Sequence, residues 1–262
     1  MINNDIVGLI PCAGKAVRLG VLPFSKELYP IGLDKFQGKQ NIKVVSSYLI
    51  DHMKDAGVKD FHLILKEEKW DIPSYFSNLK QLKINLCYHI VNIDYGVPFS
   101  LNTAYPFIKD KIVCLGFPDI LFKPKKVYNQ LLTKLSSDSN ISVVLGVMPI
   151  DKPKKWDMVE YDSKNKIKRI VIKSSTEKSL KYGWFCAVWN AKFSDYLNSY
   201  ISDLLKEKSP KDLKNSEIYI GDVIRSAIKN GHNIESVIFE EGTCLDIGTP
   251  EDLLLANAFL SI

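Results

Sequence analysis

Two cations and a set of small residues share one loop near the amino terminus. Ala13, Gly14, Lys15, Ala16 and Arg18 are followed by Lys26 in Ser25-Lys26-Glu27-Leu28-Tyr29-Pro30-Ile31. Small side chains let backbone amides approach an anion closely, and Arg18 and Lys26 are donors able to hold a triphosphate. A basic surface loop has the same composition, so spacing alone leaves both readings open. Two aspartates stand directly after strand-like runs. Asp119 follows Cys114-Leu115-Gly116-Phe117-Pro118, and Asp246 lies in Cys244-Leu245-Asp246-Ile247-Gly248-Thr249-Pro250-Glu251. Carboxylates are what Mg2+ takes from a protein, one or two at a time, leaving other positions to phosphate oxygens and water. Asp119 is also a common turn residue, and Asp246 can cap the last helix. Thr249-Pro250 makes the better cap, with Pro250 at the first helical position, and leaves Asp246 without a structural explanation.

The elements that must position these residues are legible as an alternation. Asp5 to Cys12 is a short apolar run that fits a buried first strand, ending at the loop. Val44, Val45, Tyr48, Leu49 and Met53 recur at helical spacing between Lys43 and Ala56, and Gly57 ends the stretch. Strands are predicted at Asp60 to Lys66, Leu82 to His89, Ile112 to Leu115 and Ile141 to Met148. Helices are predicted at Ser100 to Lys109, against which Pro106 argues, and at Lys125 to Ser136. This grammar implies a mostly parallel three-layer sandwich over the first 150 residues or so. In such a sheet ligands bind beyond the carboxyl ends of strands, where the loop after Cys12 lies. After Pro149 strand-like pieces follow one another at Trp156 to Tyr161, Lys166 to Lys173 and Gly183 to Trp189, as an antiparallel addition would. Helices return at Ala191 to Lys206, Ile218 to Asn230 and Pro250 to Phe259. With no repeat and no long linker, a single domain over 1–262 is the simplest organisation.

Composition excludes several classes. The chain has 262 residues, 46% hydrophobic and 25% charged, with a net charge of +5, which is neither disordered nor collagen-like. Its five cysteines are odd in number and contain no C-x-x-C, so they read as small core residues in a reducing compartment. There is no Walker-type loop, and His52, His62, His89 and His232 contain no pair at metal-ligand spacing. The lysines at 123, 125 and 126 and at 152, 154 and 155 read as solvated turns rather than a nucleic-acid footprint. The amino terminus lacks the basic region of a signal peptide, and no apolar run approaches a membrane span. These features predict a soluble cytoplasmic protein with no nucleic-acid or membrane partner; a homo-oligomer stays open.

The loop as a whole resembles the signature of the sugar-nucleotide pyrophosphorylases, in particular the glucose-1-phosphate thymidylyltransferases. In that family a Gly-rich loop ends in Arg-Leu and is followed by Ser/Pro-Lys-x-Leu-x-Pro-Ile, matched here by Arg18-Leu19 and Ser25 to Ile31. The departures are Ala13 and Ala16, where the family usually has glycine, with Lys15 between them. The resemblance implies an α/β, three-layer Rossmann-like nucleotidyltransferase fold with a mostly parallel mixed sheet. Residues 1–150 would be its nucleotide-binding part, and 151–262 its sugar-binding part with the C-terminal helices. It implies that Arg18 and Lys26 are catalytic, with Arg18 on the triphosphate and Lys26 at the reacting phosphate. It also implies nucleotide contacts from Ala13, Gly14, Lys15 and Gly96, and Mg2+ ligation by Asp119 and Asp246. The second carboxylate motif, Leu-Asp-x-Gly-Thr-Pro-Glu, matches closely; the first departs as Gly-Phe-Pro-Asp.

By the same resemblance Lys173 holds the sugar phosphate, and Tyr182 and Gly183 belong to the sugar pocket. The pockets themselves depart from the pattern. Ile172 replaces a glutamate that contacts sugar hydroxyls, Asp157 replaces a glycine that approaches the sugar, and Val91 or Asn92 stands where a glutamine reads the base. Trp184 is expected in the core. Glu217 and Asp222 resemble family positions too, although a helix amino terminus accounts for acidic residues equally well. The expected reaction joins a nucleoside triphosphate, dTTP first with UTP or CTP as alternatives, to a sugar 1-phosphate, giving an NDP-sugar and pyrophosphate. The alternative is a non-catalytic sugar-nucleotide-binding or regulatory module of the same fold. A dinucleotide oxidoreductase lacks its G-x-G-x-x-G here, and a glycosyltransferase its Asp-x-Asp.

Overall fold

The structure is a computed structural model that describes residues 5–36, 38–79, 83–173, 177 and 179–261. β1 (Ile6–Pro11) is apolar throughout and buried on both faces, as its unbroken Ile-Val-Gly-Leu-Ile run requires. A hairpin of β2 (Pro30–Phe36) and β3 (Lys39–Val44) then leads into α1 (Val45–Asp55). β4 (Asp60–Leu65), α2 (Asp71–Ser77) and β5 (Asn85–Ile90) follow, then α3 (Val97–Asn102) and α4 (Tyr105–Ile108). The helix expected over Ser100 to Lys109 is thus two short ones, with Pro106 in the first turn of the second, where its missing N–H costs nothing. The strand expected from Leu82 begins at Asn85; Leu82 itself lies outside the described residues.

The chain continues through β6 (Ile112–Leu115), β7 (Ile120–Lys123), α5 (Val127–Ser136) and β8 (Ile141–Pro149). β9 (Met158–Tyr161), β10 (Ile167–Val171) and β11 (Tyr182–Trp189) make the antiparallel portion. α6 (Ala191–Glu207), α7 (Pro210–Asn215) and α8 (Ile220–Lys229) precede β12 (Asn233–Ile238), β13 (Thr243–Asp246) and α9 (Pro250–Ser261). Sequence reading missed the β2–β3 hairpin, β7, β12, β13, α2 and α7. These are short, partly polar segments whose pairing partners are remote or whose apolar period is too brief to register.

Among the described residues the central sheet has nine strands. Its main path runs β12-β8-β11-β6-β1-β4-β5, and β9 and β10 branch from the start of β11. β5, β4, β1 and β6 are parallel, as are β12 and β8, while β11 is antiparallel to both β6 and β8. The sheet is therefore mixed and mostly parallel, as expected. One core lies between the sheet and α3, α4, α6 and α8; the other lies against α1, α2 and α5. A third, smaller cluster joins Ile31, Val45, Leu121, Ile247 and Ala256, and so ties the hairpin and α9 to the β7–β13 pair. Cys12, Cys114 and Cys186 are buried as expected, but Cys87 and Cys244 are only partly so. Among the described residues no helix is long and apolar enough to cross a membrane.

Candidate active site

The loop after β1 reaches Arg18 through a left-handed residue. Ala16 has φ 53°, a conformation that costs an L-residue roughly 1 kcal/mol and that glycine adopts freely. A short 3₁₀ turn, Val17–Leu19, follows, anchored by buried Leu19. Lys26 opens a second 3₁₀ turn, Lys26–Leu28, that is held from both sides. Asp71 accepts from the Ser25 amide at 2.6 Å and from its hydroxyl at 2.7 Å. Glu27, fully buried, takes the Lys69 ammonium at 2.7 and 2.8 Å, and its carbonyl accepts from Ser46 Oγ at 2.7 Å. Sequence reading assigned no role to Glu27, Lys69 or Asp71: Glu27 fills a variable position of the loop motif, and Lys69 and Asp71 lie outside it.

The two aspartates meet through the β7–β13 ladder. Asp246 is in register with Ile120, and the Ile247 amide donates to the Asp119 carbonyl at 2.9 Å. The turn Gly116-Phe117-Pro118-Asp119 delivers Asp119 to Lys26, whose ammonium forms an ion pair with its carboxylate. Thr249 and Asp252 cap α9 reciprocally, the Thr249 amide and hydroxyl donating to Asp252 Oδ2 at 3.0 and 2.9 Å. That satisfies the helix end and leaves Asp246 outside the cap, as the sequence implied.

These groups line one cleft of about 640 Å³. Arg18, Lys26, Asp119 and Asp246 stand on its walls, with Lys15, Lys154 and Lys155 nearby. Lys173, Asp157 and Glu217 line the rest, with Phe117, Trp156, Trp184 and Tyr219 as its aromatic wall. Six cations thus face four carboxylates, an excess that suits a polyanion. Lys154 and Lys155 are therefore not simply solvated turns, and Lys155 also pairs with Asp252 at 2.9 Å. Burial by itself pushes the Lys26 pKa down, but Asp119, Glu27 and Asp246 outweigh it and hold Lys26 above the usual lysine value. Burial, then Asp119, pushes Asp246 up to about 6 against the pull of Lys26, Lys155 and Arg18. Burial also pushes Asp157 up to about 6, although Lys173 opposes it.

Lys173 sits with its ammonium 4.1 Å from the centre of the Tyr219 ring, and the Tyr219 hydroxyl donates to Glu217 at 2.9 Å. Glu217 and Asp222 part company here. Glu217 faces the cleft, whereas Asp222 caps α8 by accepting from the Tyr219 amide at 2.9 Å. Trp184 is buried as expected, yet it also closes the cleft beside Phe117.

Other expected residues stand elsewhere. Tyr182 is not among the residues lining the cleft; its hydroxyl donates to Glu240 at 3.0 Å and its ring packs edge-on against Tyr161. Gly183 lets β11 pass close to Ile150 and Trp156, where a Cβ would come within 2.8 Å of Ile150. Gly96 has φ 110° and lies against the Ile218 backbone, behind Glu217 and Tyr219. Ala13 packs against the core, and Gly14 lies beside Lys26, bordering a second hollow on the other side of the loop. Lys15 lines the cleft and pairs with Asp94 at 3.1 Å, a carboxylate that also holds Lys66. Val91 is buried, and Asn92 donates to Glu67 at 3.1 Å.

Residues 7–261 match the family model described as nucleotidyl transferase. The chain belongs to the nucleotidyl transferase family. The resemblance read from the loop and the aspartate motifs is thereby borne out. No curated protein matches the chain in sequence. Among solved structures, a Bacillus anthracis protein assigned as a glucose-1-phosphate thymidylyltransferase superposes with a TM-score of 0.77 at 19% identity, over 97% of this chain and 94% of that one. A UDP-glucose pyrophosphorylase complexed with UDP-glucose gives 0.76 at 19% identity, over 97% and 98%. The inositol-1-phosphate CTP transferase of T. maritima gives 0.70 at 19% identity, over 94% and 90%. At these identities the likeness is one of fold, and it extends over nearly the whole length of each chain.

Proposed function

We propose that this nucleotidyl transferase joins a pyrimidine nucleoside triphosphate to a sugar 1-phosphate with Mg2+, yielding an NDP-sugar and pyrophosphate. The observation that carries this reading is the convergence of Arg18 and Lys26 with Asp119 and Asp246 in a single cleft that also holds Lys173. Three structural neighbours are named for thymidylyl, UDP and CTP chemistry, all pyrimidine, which supports dTTP first, with UTP and CTP as alternatives. Two of those names carry a hexose and one an inositol phosphate, which supports a polyhydroxylated phosphate monoester as the acceptor.

The donor set fits Mg2+. Asp119 and Asp246 offer hard oxygens, and the raised Asp246 pKa reflects its burial first and the neighbouring Asp119 second. When bound, the ion neutralises phosphate charge and helps hold the reacting oxygens in line. The chain's own residues do the rest. Arg18 binds the triphosphate, and Lys26 stabilises charge growing on the α-phosphate. Lys173 positions the sugar phosphate, whose ionised oxygen needs no general base. Its oxygen bonds to the α-phosphorus as the bond to pyrophosphate breaks, so rate enhancement comes from alignment and charge neutralisation. Asp157, Glu217, Trp156, Trp184 and Tyr219 would read the sugar, on the side built from residues 151–262; the nucleotide would lie along the 1–150 side.

A panel of each nucleoside triphosphate against several sugar 1-phosphates with Mg2+, read by pyrophosphate release, tests the reading. Turnover that requires both substrates and is fastest with a pyrimidine nucleotide is expected. Nucleotide binding without pyrophosphate release from any pair would overturn it in favour of a binding module.

A further inference from the structure

A cluster with a different chemistry lies on the sheet edge, outside the residues lining the cleft. β5 ends the sheet and pairs in parallel with β4, in a register that sets His62 opposite Cys87 and Ile64 opposite His89. Because strand side chains alternate, His62, Cys87 and His89 all project on the same face, towards α4. The sequence contained no histidine pair at ligand spacing, but the strand register brings together two that are 27 residues apart. His62 Nδ1 lies 2.9 Å from His89 Nε2, and Cys87 Sγ lies 3.5 Å from the same nitrogen. All three donor atoms fall within 4.8 Å of one another. His62 is buried, Cys87 and His89 are partly exposed, and the exposed Phe107 ring stands 5.3 Å from His89.

We propose that His62, Cys87 and His89 form a binding site for a borderline divalent ion of the Zn2+ class, with water completing a tetrahedron. Imidazole and thiolate donors select Zn2+ over Mg2+, which wants oxygen. Tetrahedral bonds of about 2.0–2.1 Å to nitrogen and about 2.3 Å to sulfur put N and S about 3.5 Å apart, and two nitrogens about 3.3 Å apart. The Cys87–His89 separation already meets the first value, and the two imidazoles need part by only a few tenths of an ångström. On binding, the ring that donates in the His62–His89 hydrogen bond shifts its proton to its other nitrogen, and Cys87 releases one to solvent. The ion would cross-link the terminal strand β5 to β4. No part of this rests on the proposed transferase reaction.

The test uses the full chain, freed of metal by a chelator and then held in excess Mg2+ with a reductant. Addition of Co2+ should give one equivalent of a species with a near-ultraviolet thiolate-to-cobalt band, which Zn2+ bleaches. Cys87→Ser should remove the band, His89→Gln should weaken binding at least tenfold, and Asp246→Asn should leave the band intact. A band that survives Cys87→Ser, or vanishes in Asp246→Asn, overturns the site. So does the lack of a band in the unaltered protein. A measurement that needs no variant is alkylation of Cys87, read by peptide mass spectrometry. One equivalent of Zn2+ should slow it at least tenfold, and an unchanged rate is a contrary result.

Discussion

The ammonium of Lys26 rests on the carboxylate of Asp119, a partner 93 residues further along the chain, in the turn between β6 and β7. Each is mostly buried, with 18% of its side chain exposed. Neither charge is therefore well screened, and each makes the other tolerable on the wall of the cleft.

Lys26→Met keeps the length of the side chain and deletes the charge. Turnover should fall on the order of 10²-fold or more, as loss of one preorganised donor does elsewhere. Lys15→Met, at an exposed pair with Asp94, should cost far less. Steady-state pyrophosphate release compares the two, and similar rates for Lys26→Met and the unaltered protein would remove Lys26 from the reacting centre.

Removal of divalent ions should stop pyrophosphate release, and Mg2+ should restore it. Asp246→Asn should raise the Mg2+ concentration needed for half-maximal rate by about tenfold or more. A rate unaffected by chelator would contradict the paired role of Asp119 and Asp246.

Asp157 should make stability depend on pH. Its folded pKa, pushed up to about 6 by burial, exceeds the ordinary value of 3.8. The folded state therefore binds the proton more tightly, and this group's contribution to stability rises as pH falls from about 6 towards 3.8. At pH 7 the ionised group is a burden of up to about 3 kcal/mol. Asp157→Asn should stabilise the protein at pH 7 and flatten its profile between pH 7 and 5, measured by urea denaturation. An unchanged profile would mean that Asp157 is not desolvated. The same variant should raise KM for the sugar phosphate more than KM for the nucleotide.

Gly96→Ala should be severe although Gly96 does not line the cleft. At φ 110° an alanine is strained, and its Cβ would fall inside contact distance of the Ile218 carbonyl. A loss of about 3 kcal/mol or more in stability is expected. By contrast Ala16→Gly, at φ 53°, should be neutral or stabilising by up to about 1 kcal/mol. Thermal denaturation of the two variants separates a packing role at position 96 from a conformational one at position 16.

The part of the cleft lined by Arg18, Lys26 and Asp246 was legible because its determinants are local. Arg18-Leu19, Ser25 to Ile31 and Leu245 to Glu251 each carry chemistry and backbone geometry in one short run, and Thr249 caps α9 as its spacing said. The strongly apolar strands β1, β6 and β8 were legible for the same reason, since burial on both faces leaves a continuous hydrophobic signature. What only the tertiary structure decided is proximity between segments remote in sequence. The β7–β13 pairing sets Asp246 beside Asp119, Asp71 and Lys69 lock the Lys26 turn, and β4 against β5 gathers His62, Cys87 and His89. Tyr182 and Trp184 share one face of β11, yet Tyr182, at the start of the strand, meets Glu240 while Trp184 reaches the cleft, because the segments packed over each position are remote in sequence and one strand alone does not reveal them.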